Sequence, residues 1–288
     1  MNMSTVLIQV NLPADSRTPK PPVTISMHSL PWRRGAKKNY TPRLYRYPQE
    51  SLKQKLSIGL ACCRIHDGRP EVLMIQKRFT YSYDTFVHGK YSSNNNAEII
   101  KLLSGMTIEE KHDLLSLNFS QIWYRIWLNS RQRGGMCFLS AKNFFESAFA
   151  MDNGARLRRL IAQADHGITV WEIPKGRKNS ATEPDIQCAI REFKEETGLS
   201  KKQYKIIPAT IPIQEHIDAG TKYTTKYFVA LTRHNITPRL NFGLQDQIDE
   251  ISDIRWMNIE DIRRVDSTGR IAKMMKPVFN YVKKYVKK

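Results

Sequence analysis

The stretch from Gly176 to Leu199, GRKNSATEPDIQCAIREFKEETGL, contains local signals for a loop, a helix and a helix stop. Thr182 is a candidate N-cap, and Pro184 suits a first helical turn because its missing N–H is not needed there. Gly198 can adopt the left-handed conformation that ends many helices. The sequence therefore predicts a helix from about residue 183 to residue 197.

Three glutamates occupy one face of this predicted helix. Glu192, Glu195 and Glu196 are spaced i, i+3 and i+4, so their carboxylates lie over a single turn. Like charges at this spacing repel, and the helix dipole disfavours anions near the C-terminus. A hard divalent cation, Mg²⁺ or Mn²⁺, would stabilise the arrangement. A solvent-facing acidic surface is the alternative, and the three residues alone do not decide between the two.

The chain as a whole is strongly basic. Forty-six Lys and Arg residues against 27 Asp and Glu residues give a formal net charge of +19, which attracts polyanions. Nucleic acid is the favoured partner, and a solvated basic surface without a partner is the alternative. Candidate RNA contacts, through neutralisation of phosphates, are Arg156, Arg158, Arg159, Lys283 and Lys284.

Other features predict a soluble protein of a reducing compartment. No apolar run reaches the roughly 20 residues that span a bilayer, and the N-terminus lacks the pattern of a signal peptide. The four cysteines form no CxxC pair and have no histidine cluster beside them, so neither a disulfide framework nor a zinc site is predicted. We expect an intracellular protein without membrane association.

Periodicity divides the chain into four segments. Residues 1–54 form a basic, proline-rich extension, and residues 55–91 begin with two β-rich runs around an Asp-Gly turn. Residues 92–165 show helical spacing, and residues 166–288 return to strands before a basic C-terminal helix. Strands on both sides of a helical block indicate an α+β fold whose catalytic domain is interrupted by an all-helical insert. The insert is a candidate RNA-binding region.

The sequence around the glutamates resembles the Nudix box. That box runs from a glycine through five residues to a glutamate, then through seven residues to Arg-Glu-apolar-x-Glu-Glu-x-Gly-apolar. Here the run from Arg191 to Leu199 matches the second half completely, and Glu183 precedes it by the correct seven residues. Six residues rather than five separate Gly176 from Glu183, so the loop before the helix is one residue longer.

The resemblance implies the composition of a metal centre. Glu192, Glu195 and Glu196 are the expected metal ligands, together with the main chain at Gly176. Glu195 and Glu196 are counted among the catalytic residues as well. Mg²⁺ or Mn²⁺ is the implied cofactor.

Supporting roles follow from the same resemblance. Arg191 and Glu183 are expected to form an ion pair that fixes the helix to the loop, and Lys175 is expected to support that loop. Arg191 is also counted with the catalytic residues.

One further acidic residue is expected at the site. The segment DEISDIRWMNIEDI resembles the late strand and helix start of Nudix domains, in which a glutamate before the strand reaches the metal. That residue is Glu250, as general base or additional ligand, with Asp249 and Glu215 as weaker candidates.

A narrower resemblance is to the viral mRNA-decapping Nudix enzymes of poxviruses, African swine fever virus and giant DNA viruses. It rests on YSYDTFVHGKY at 81–91, the helical block, and CAIREFKEETG at 188–198, and it covers roughly residues 55–265. It implies a Nudix fold, which is a mixed β-sheet sandwiched by helices. It also implies a role in host shutoff in the cytoplasm of an infected cell.

The implied reaction is hydrolysis of the triphosphate bridge of capped mRNA, which releases 7-methylguanosine diphosphate and 5′-monophosphate RNA. Two alternatives stay open: a hydrolase of diphosphoinositol polyphosphates or other nucleoside diphosphate derivatives, and a catalytically weak RNA-binding protein. No residue is assigned to stacking on the cap, because Tyr83, Phe86 and Tyr91 are more simply interpreted as core residues. Protein partners are not predicted.

Overall fold

A computed structural model describes most of the chain. The described residues are 53–127, 135–209, 212–218, 220–232 and 235–287. All but the last two residues of the predicted extension at 1–54 therefore lie outside the described residues.

Strands within the described residues form one mixed sheet. They are β1 (Lys53–His66), β2 (Arg69–Lys77), β3 (Trp171–Glu172), β4 (Lys175–Gly176), β5 (Lys205–Ile206), β6 (Ile213–Asp218), β7 (Thr221–Leu231) and β8 (Ile251–Met257). The central order is β3-β2-β1-β7-β5, while β8 pairs with β2, β4 with β1, and β6 with β7.

Helices on either side of the sheet and in the block between β2 and β3 complete the fold. They are α1 (Tyr81–Val87), α2 (Asn96–Ser104), α3 (Ile108–Ser116), α4 (Phe119–Ile126), α5 (Met136–Phe149), α6 (Ala155–Ala162), α7 (Asp185–Thr197), α8 (Gln245–Glu250), α9 (Ile259–Val265) and α10 (Arg270–Val286). None of the helices in the described residues is both long and apolar enough to cross a membrane.

Two long strand pairings position the site. The predicted hairpin joins β1 to β2 antiparallel, and its turn places Asp67 and Gly68 at positive φ, as a tight Asp-Gly turn requires. β1 also pairs with β7, in parallel, from Lys53 opposite Thr221 onward. A parallel pair needs a long connection, and the chain between β1 and β7 contains the whole helical block and the box helix.

Both faces of the sheet are covered by helices. Alternate residues of β1 point to opposite sides, so Leu60 packs in a core with Phe193 of α7. Cys63 lies on the other side, in a core with Met275 and Phe279 of α10. This mixed sheet between helices is the predicted α+β architecture.

The helices from α1 to α6, which we call the helical cluster, share a separate core of aromatic side chains. Phe86, Phe119, Trp123 and Phe149 are buried in it. α1 was not predicted, and it places the start of this cluster ahead of residue 92, because YSYDTFV presents an apolar face at i, i+3 and i+4.

The box helix α7 begins slightly later than predicted. Its N-cap position is occupied by Pro184, which makes no side-chain capping bond, and the hydroxyl of Thr182 lies 3.1 Å from that of Ser180 instead. The prediction of Thr182 as N-cap was therefore wrong. Gly198 ends the helix at φ 72°, the left-handed conformation expected of it.

Candidate active site

Arg191 fastens the box helix to the preceding loop. Its Nε lies 3.0 Å from Oε1 of Glu183, its Nη2 lies 3.2 Å from Oε2, and Nη2 also donates to the carbonyl of Arg177 at 2.8 Å. The expected ion pair is therefore present, with two-point geometry. Nη1 contacts Glu192 at 2.7 Å and Glu195 at 3.0 Å, so this guanidinium also orients two of the three box carboxylates.

The loop approaches the helix closely at Gly176. The carboxyl group of Glu192 occupies the space that a Cβ at position 176 would need. A larger residue would push the loop away, which explains the glycine. The additional residue between Gly176 and Glu183 therefore does not separate the loop from the acidic face.

Glu196 is the most enclosed of the box carboxylates. The residue is 5% exposed, its Oε2 accepts the backbone N–H of Lys175 at 2.9 Å, and its Oε1 accepts from Nζ of Lys77 at 3.3 Å. Burial raises the pKa of Glu196 to about 8, although Lys77 opposes the shift. A carboxylate in this position gains more than an exposed one from an additional cation.

Glu250, in the last turn of α8, contacts the same lysine as Glu196 does. Its Oε2 lies 2.7 Å from Nζ of Lys77, and its carbonyl accepts the N–H of Arg78 at 2.8 Å. The fully buried Gln247 fixes α8 to α7, because its amide donates to the carbonyl of Glu196 at 3.0 Å. The structure thus brings Glu250 to the box helix.

The two weaker acidic candidates have other partners. Asp249 accepts a hydrogen bond from Gln245 at 2.8 Å, within α8. Glu215 pairs with Lys222 at 2.9 Å on the β6–β7 hairpin.

Sequence reasoning missed three residues of this site: Lys77, Glu172 and Tyr81. The hydroxyl of Tyr81 donates to Oε2 of Glu172 at 2.8 Å, and Nζ of Lys175 contacts the same oxygen at 2.7 Å. Burial would raise the pKa of Glu172, but Lys175, Lys77 and these hydrogen bonds lower it overall. The proximity of Glu172 to Lys175 in WEIPKG was an available signal, and Tyr81 begins the segment YSYDTFVHGKY on which the narrower resemblance rests. No motif pointed to Lys77.

The charges around Lys77 keep it protonated. Burial opposes the positive charge, but Glu196, Glu172 and Glu250 together raise the pKa of Lys77. Among the described residues, this lysine and Arg191 are the cations that the box carboxylates contact.

The donor set suits a hard divalent ion. Its members offer only oxygen atoms, and Glu192, Glu195 and Glu196 come from one helical turn beside Gly176. Within the described part of the chain, no three His, Cys, Asp or Glu side chains converge on one point that could hold a metal. Here Arg191 contacts Glu192 and Glu195, while Lys77 contacts Glu196.

The candidate RNA contacts differ in their surroundings. Nη2 of Arg156 donates to the carbonyl of Ser93 at 2.5 Å and to Oδ1 of Asn96 at 2.8 Å, so this guanidinium has a structural role between helices. Arg158 and Arg159 are exposed on α6. Lys283 and Lys284 are likewise exposed, near the end of α10. The candidate cap-stacking residues Tyr83, Phe86 and Tyr91 are all buried in the helical cluster, which supports the packing interpretation.

Comparison with known proteins identifies the family. The model of the NUDIX domain matches residues 149–277. The mRNA-decapping protein g5R of African swine fever virus (strain Badajoz 1971 Vero-adapted) is 35% identical over 246 residues, which are 82% of this chain and 98% of that protein. The chain belongs to the Nudix family. The resemblance to viral Nudix proteins is thereby confirmed, and the chain is a hydrolase that acts on phosphoric anhydride bonds.

Two further matches have lower sequence identity. A protein of Acanthamoeba polyphaga mimivirus, also named for mRNA decapping, is 25% identical over 247 residues, 76% of this chain and 66% of that protein. Among solved structures, a binary complex of the Ap4A hydrolase of C. elegans matches with a TM-score of 0.41 and 14% identity, over 79% of this chain and 96% of that chain. Nudix hydrolases generally need divalent metal ions, in agreement with the donor set described above.

Proposed function

We propose that this Nudix hydrolase removes the cap from mRNA, releasing 7-methylguanosine diphosphate and 5′-monophosphate RNA. The observation that carries the proposal is the 35% identity to a protein named for mRNA decapping, which extends over 98% of that protein's length. Similarity over so much of the chain includes the helical cluster as well as the box. A shared box alone would leave the substrate open, because one fold serves many substrates.

The metal centre is proposed to consist of Glu192, Glu195, Glu196 and the main-chain oxygen of Gly176. Mg²⁺ and Mn²⁺ both suit these oxygen donors. When bound, such an ion lowers the pKa of coordinated water and neutralises charge on the phosphates. Glu196 is held in place for this role by the amide of Lys175.

The other polar groups of the site are proposed to accept a proton or to orient the metal ligands and the loop. Glu250 is the candidate general base, because its carboxylate is exposed to solvent and lies beside the same ammonium group as Glu196. Arg191 orients Glu192 and Glu195 from one guanidinium. Glu183 completes the ion pair that fixes the loop.

The RNA chain is proposed to follow exposed lysines on the far end of the sheet. Lys283 and Lys284 extend from α10, which has no acidic residue along its length. Lys202 and Lys205 line a cavity of about 340 Å³ together with Tyr285, which belongs to the same end of α10. Phosphates neutralised there would strengthen binding of long RNA specifically.

This surface lies away from the metal centre. In the register of the sheet, Lys205 of β5 lies opposite Leu231 of β7, and Leu231 lies opposite Cys63 of β1. On β2 the residue opposite Cys63 is Val72, and Lys77 follows it by five residues, or about 16 Å of strand. An RNA that reaches both places must extend several nucleotides beyond its cap.

The division of the chain is part of the same proposal. We infer that residues 1–54 are a basic extension, that 55–91 and 166–288 build the Nudix domain, and that 92–165 are an RNA-binding insert. The helix α1, at the end of the first Nudix segment, packs in the core of that insert. The exposed Arg158 and Arg159 of α6 support the role of the insert. We further propose that the protein acts in the cytoplasm of an infected host cell, since the African swine fever virus and mimivirus relatives are viral proteins named for mRNA decapping.

A product assay tests the reaction. The protein is incubated with Mg²⁺ or Mn²⁺ and one of three substrates: cap-labelled RNA, free cap dinucleotide, or a diphosphoinositol polyphosphate. We expect 7-methylguanosine diphosphate from the RNA, at a higher rate than from the dinucleotide. Faster hydrolysis of the diphosphoinositol compound would overturn the proposal in favour of the second candidate, whose dense negative charge also suits the basic surface.

A salt titration tests the path of the RNA. Each phosphate contact removed should reduce the slope of log K against log salt by about 1, so the double substitution Lys283→Ala and Lys284→Ala should reduce it by about 2. Lys222→Ala is the matched control, because that lysine is paired with Glu215. Equal slopes for the double variant and the control would exclude α10 from the path.

A further inference from the structure

Lys77 occupies a central position among the acidic groups of the site. Its side chain is 13% exposed, and Nζ lies 2.7 Å from Oε2 of Glu250, 3.3 Å from Oε1 of Glu196 and 4.0 Å from Oε1 of Glu172. The backbone of Lys77 is fixed as well, because its N–H donates to the carbonyl of Val170 at 2.8 Å. The ammonium group is therefore directed to this position by the end of β2.

The ammonium is shared rather than assigned to one partner. Glu172 has a second cation in Lys175 at 2.7 Å, but the described residues offer no other cation within 4.0 Å of Glu196 or Glu250. Oε1 of Glu172 forms no hydrogen bond with any described atom, so the cluster has acceptor capacity that Lys77 does not fill. Three carboxylates thus depend on two lysines.

We propose that Lys77 competes with the divalent metal for the oxygens of Glu196, and that it thereby sets the metal affinity of the site. This inference rests on the proposed function only in taking Glu196 as a metal ligand. A lysine ammonium and a divalent cation repel each other at the distances that a shared carboxylate imposes. The free energy of metal binding therefore includes an unfavourable contribution, either from moving the ammonium group away or from the repulsion that remains if it stays.

Competition and structural support predict opposite changes in metal affinity when Lys77 is replaced. If Lys77 only held the carboxylates in position, its loss would weaken metal binding, as loss of a group that orients ligands does. If Lys77 competes, its loss leaves an acidic cluster with less compensating charge, and metal binding becomes tighter. In either case Lys77 acts through the carboxylate of Glu196 and is not a catalytic residue.

Direct measurement of Mn²⁺ binding tests the proposal without RNA or turnover. The signal of free Mn²⁺ in electron paramagnetic resonance is followed during titration of the full chain. We expect Lys77→Met to bind Mn²⁺ about tenfold more tightly than the wild type, because removing one like charge a few ångström away changes an equilibrium constant by at least that order. Lys77→Arg keeps the charge and should bind as the wild type does.

Matched controls distinguish the effect of the contacts of Lys77 from effects of net charge and of misfolding. Lys222→Met removes one positive charge that is already paired with Glu215, so its Mn²⁺ affinity should change by less than about twofold. Lys77→Gln is also neutral but keeps a polar side chain. It takes the place of Lys77→Met if the methionine variant does not fold, and its Mn²⁺ affinity should show the same increase.

Two results would contradict different statements. Neutral variants of Lys77 that bind Mn²⁺ as weakly as the wild type, or more weakly, would overturn the competition. Unchanged Mn²⁺ affinity in Glu196→Gln would instead refute Glu196 as a ligand, and with it the proposed metal centre, whatever the behaviour of Lys77.

Discussion

The helical cluster and the acidic end of the sheet bury different kinds of groups. In the helical cluster Phe86 stacks on Tyr91 with ring centroids 5.0 Å apart and on Phe149 at 5.5 Å. At the end of the sheet the buried groups are the carboxylates of Glu172 and Glu196, beside the largely enclosed ammonium group of Lys77. Removing such charges from water costs free energy unless they are well paired. Apolar burial stabilises a fold, so the first region holds the structure together while the second is retained for chemistry.

A buried carboxylate in each region sharpens this difference. Glu110 of the helical cluster accepts the N–H of Thr80 at 2.6 Å, the hydroxyl of Thr80 at 2.7 Å and the N–H of Thr107 at 3.0 Å. Those bonds occupy both of its oxygens and fix α3 to the start of α1. Glu196 has two bonds and shares one of its donors with Glu250. A carboxylate with spare acceptor capacity is the one suited to an added cation.

The largest effect is expected in the aromatic core. Trp123→Ala should reduce the free energy of unfolding by about 3–5 kcal/mol, because it removes a large side chain that is 1% exposed. Denaturant unfolding measures the change. Tyr124→Ala, at the next and 44% exposed position, is the matched control, with a much smaller loss. Equal losses would show that the cluster does not depend on its buried rings.

The acidic region should respond in activity rather than in stability. Glu195→Gln and Glu196→Gln should each lower turnover by more than the about 10–100-fold that loss of a ligand-orienting group causes. RNA affinity should be largely kept, because the proposed phosphate contacts lie elsewhere. Steady-state kinetics and RNA titration measure both quantities.

Glu215→Gln is the control for the acidic region, since Glu215 pairs with Lys222 away from the site. RNA affinity that falls in proportion to turnover would show that chemistry and RNA binding are not separate.

A smaller effect should mark the contact between the two regions. Tyr81→Phe removes the hydrogen bond from α1 to Glu172, and we expect turnover to fall about tenfold, as for other groups that orient a site. The fold should be retained, because the ring remains. Tyr124→Phe, also in a helix of the cluster, should leave turnover unchanged. An unaltered rate in Tyr81→Phe would mean that the helical cluster does not influence the site through this bond.

The smallest effect is a pH dependence inside the helical cluster. A hydrogen bond with Asp84 raises the pKa of His88, whose Nδ1 lies 3.3 Å from Oδ1 of that residue. A raised pKa in the folded state adds stability below the ordinary histidine pKa of about 6.5, and the gain is lost as the pH rises through the higher folded value. We expect about 0.2–1 kcal/mol, as for other partly exposed ion pairs.

Unfolding of His88→Gln as a function of pH measures this contribution. The variant should lose the additional stability of the wild type at low pH while both behave alike at high pH. A wild-type advantage that grows with pH would contradict the assignment.

The sequence by itself determined the box helix and the family. The spacing of Glu192, Glu195 and Glu196 on one turn and the stop at Gly198 follow from the helical period and from the conformational freedom of glycine, which are local properties. The hairpin with its Asp-Gly turn and the helices from α2 to α6 were predictable for the same reason, whereas α1 was not predicted.

Only the tertiary structure decided which other groups surround those glutamates. Lys77 ends β2, Glu250 ends α8 and Tyr81 begins α1, and strand pairing and packing bring these distant segments together. Tertiary packing also engages Arg156 between helices, although its sequence context suggested RNA binding. Long-range contacts depend on strand register and on how helices pack, and no local spacing in the chain encodes them.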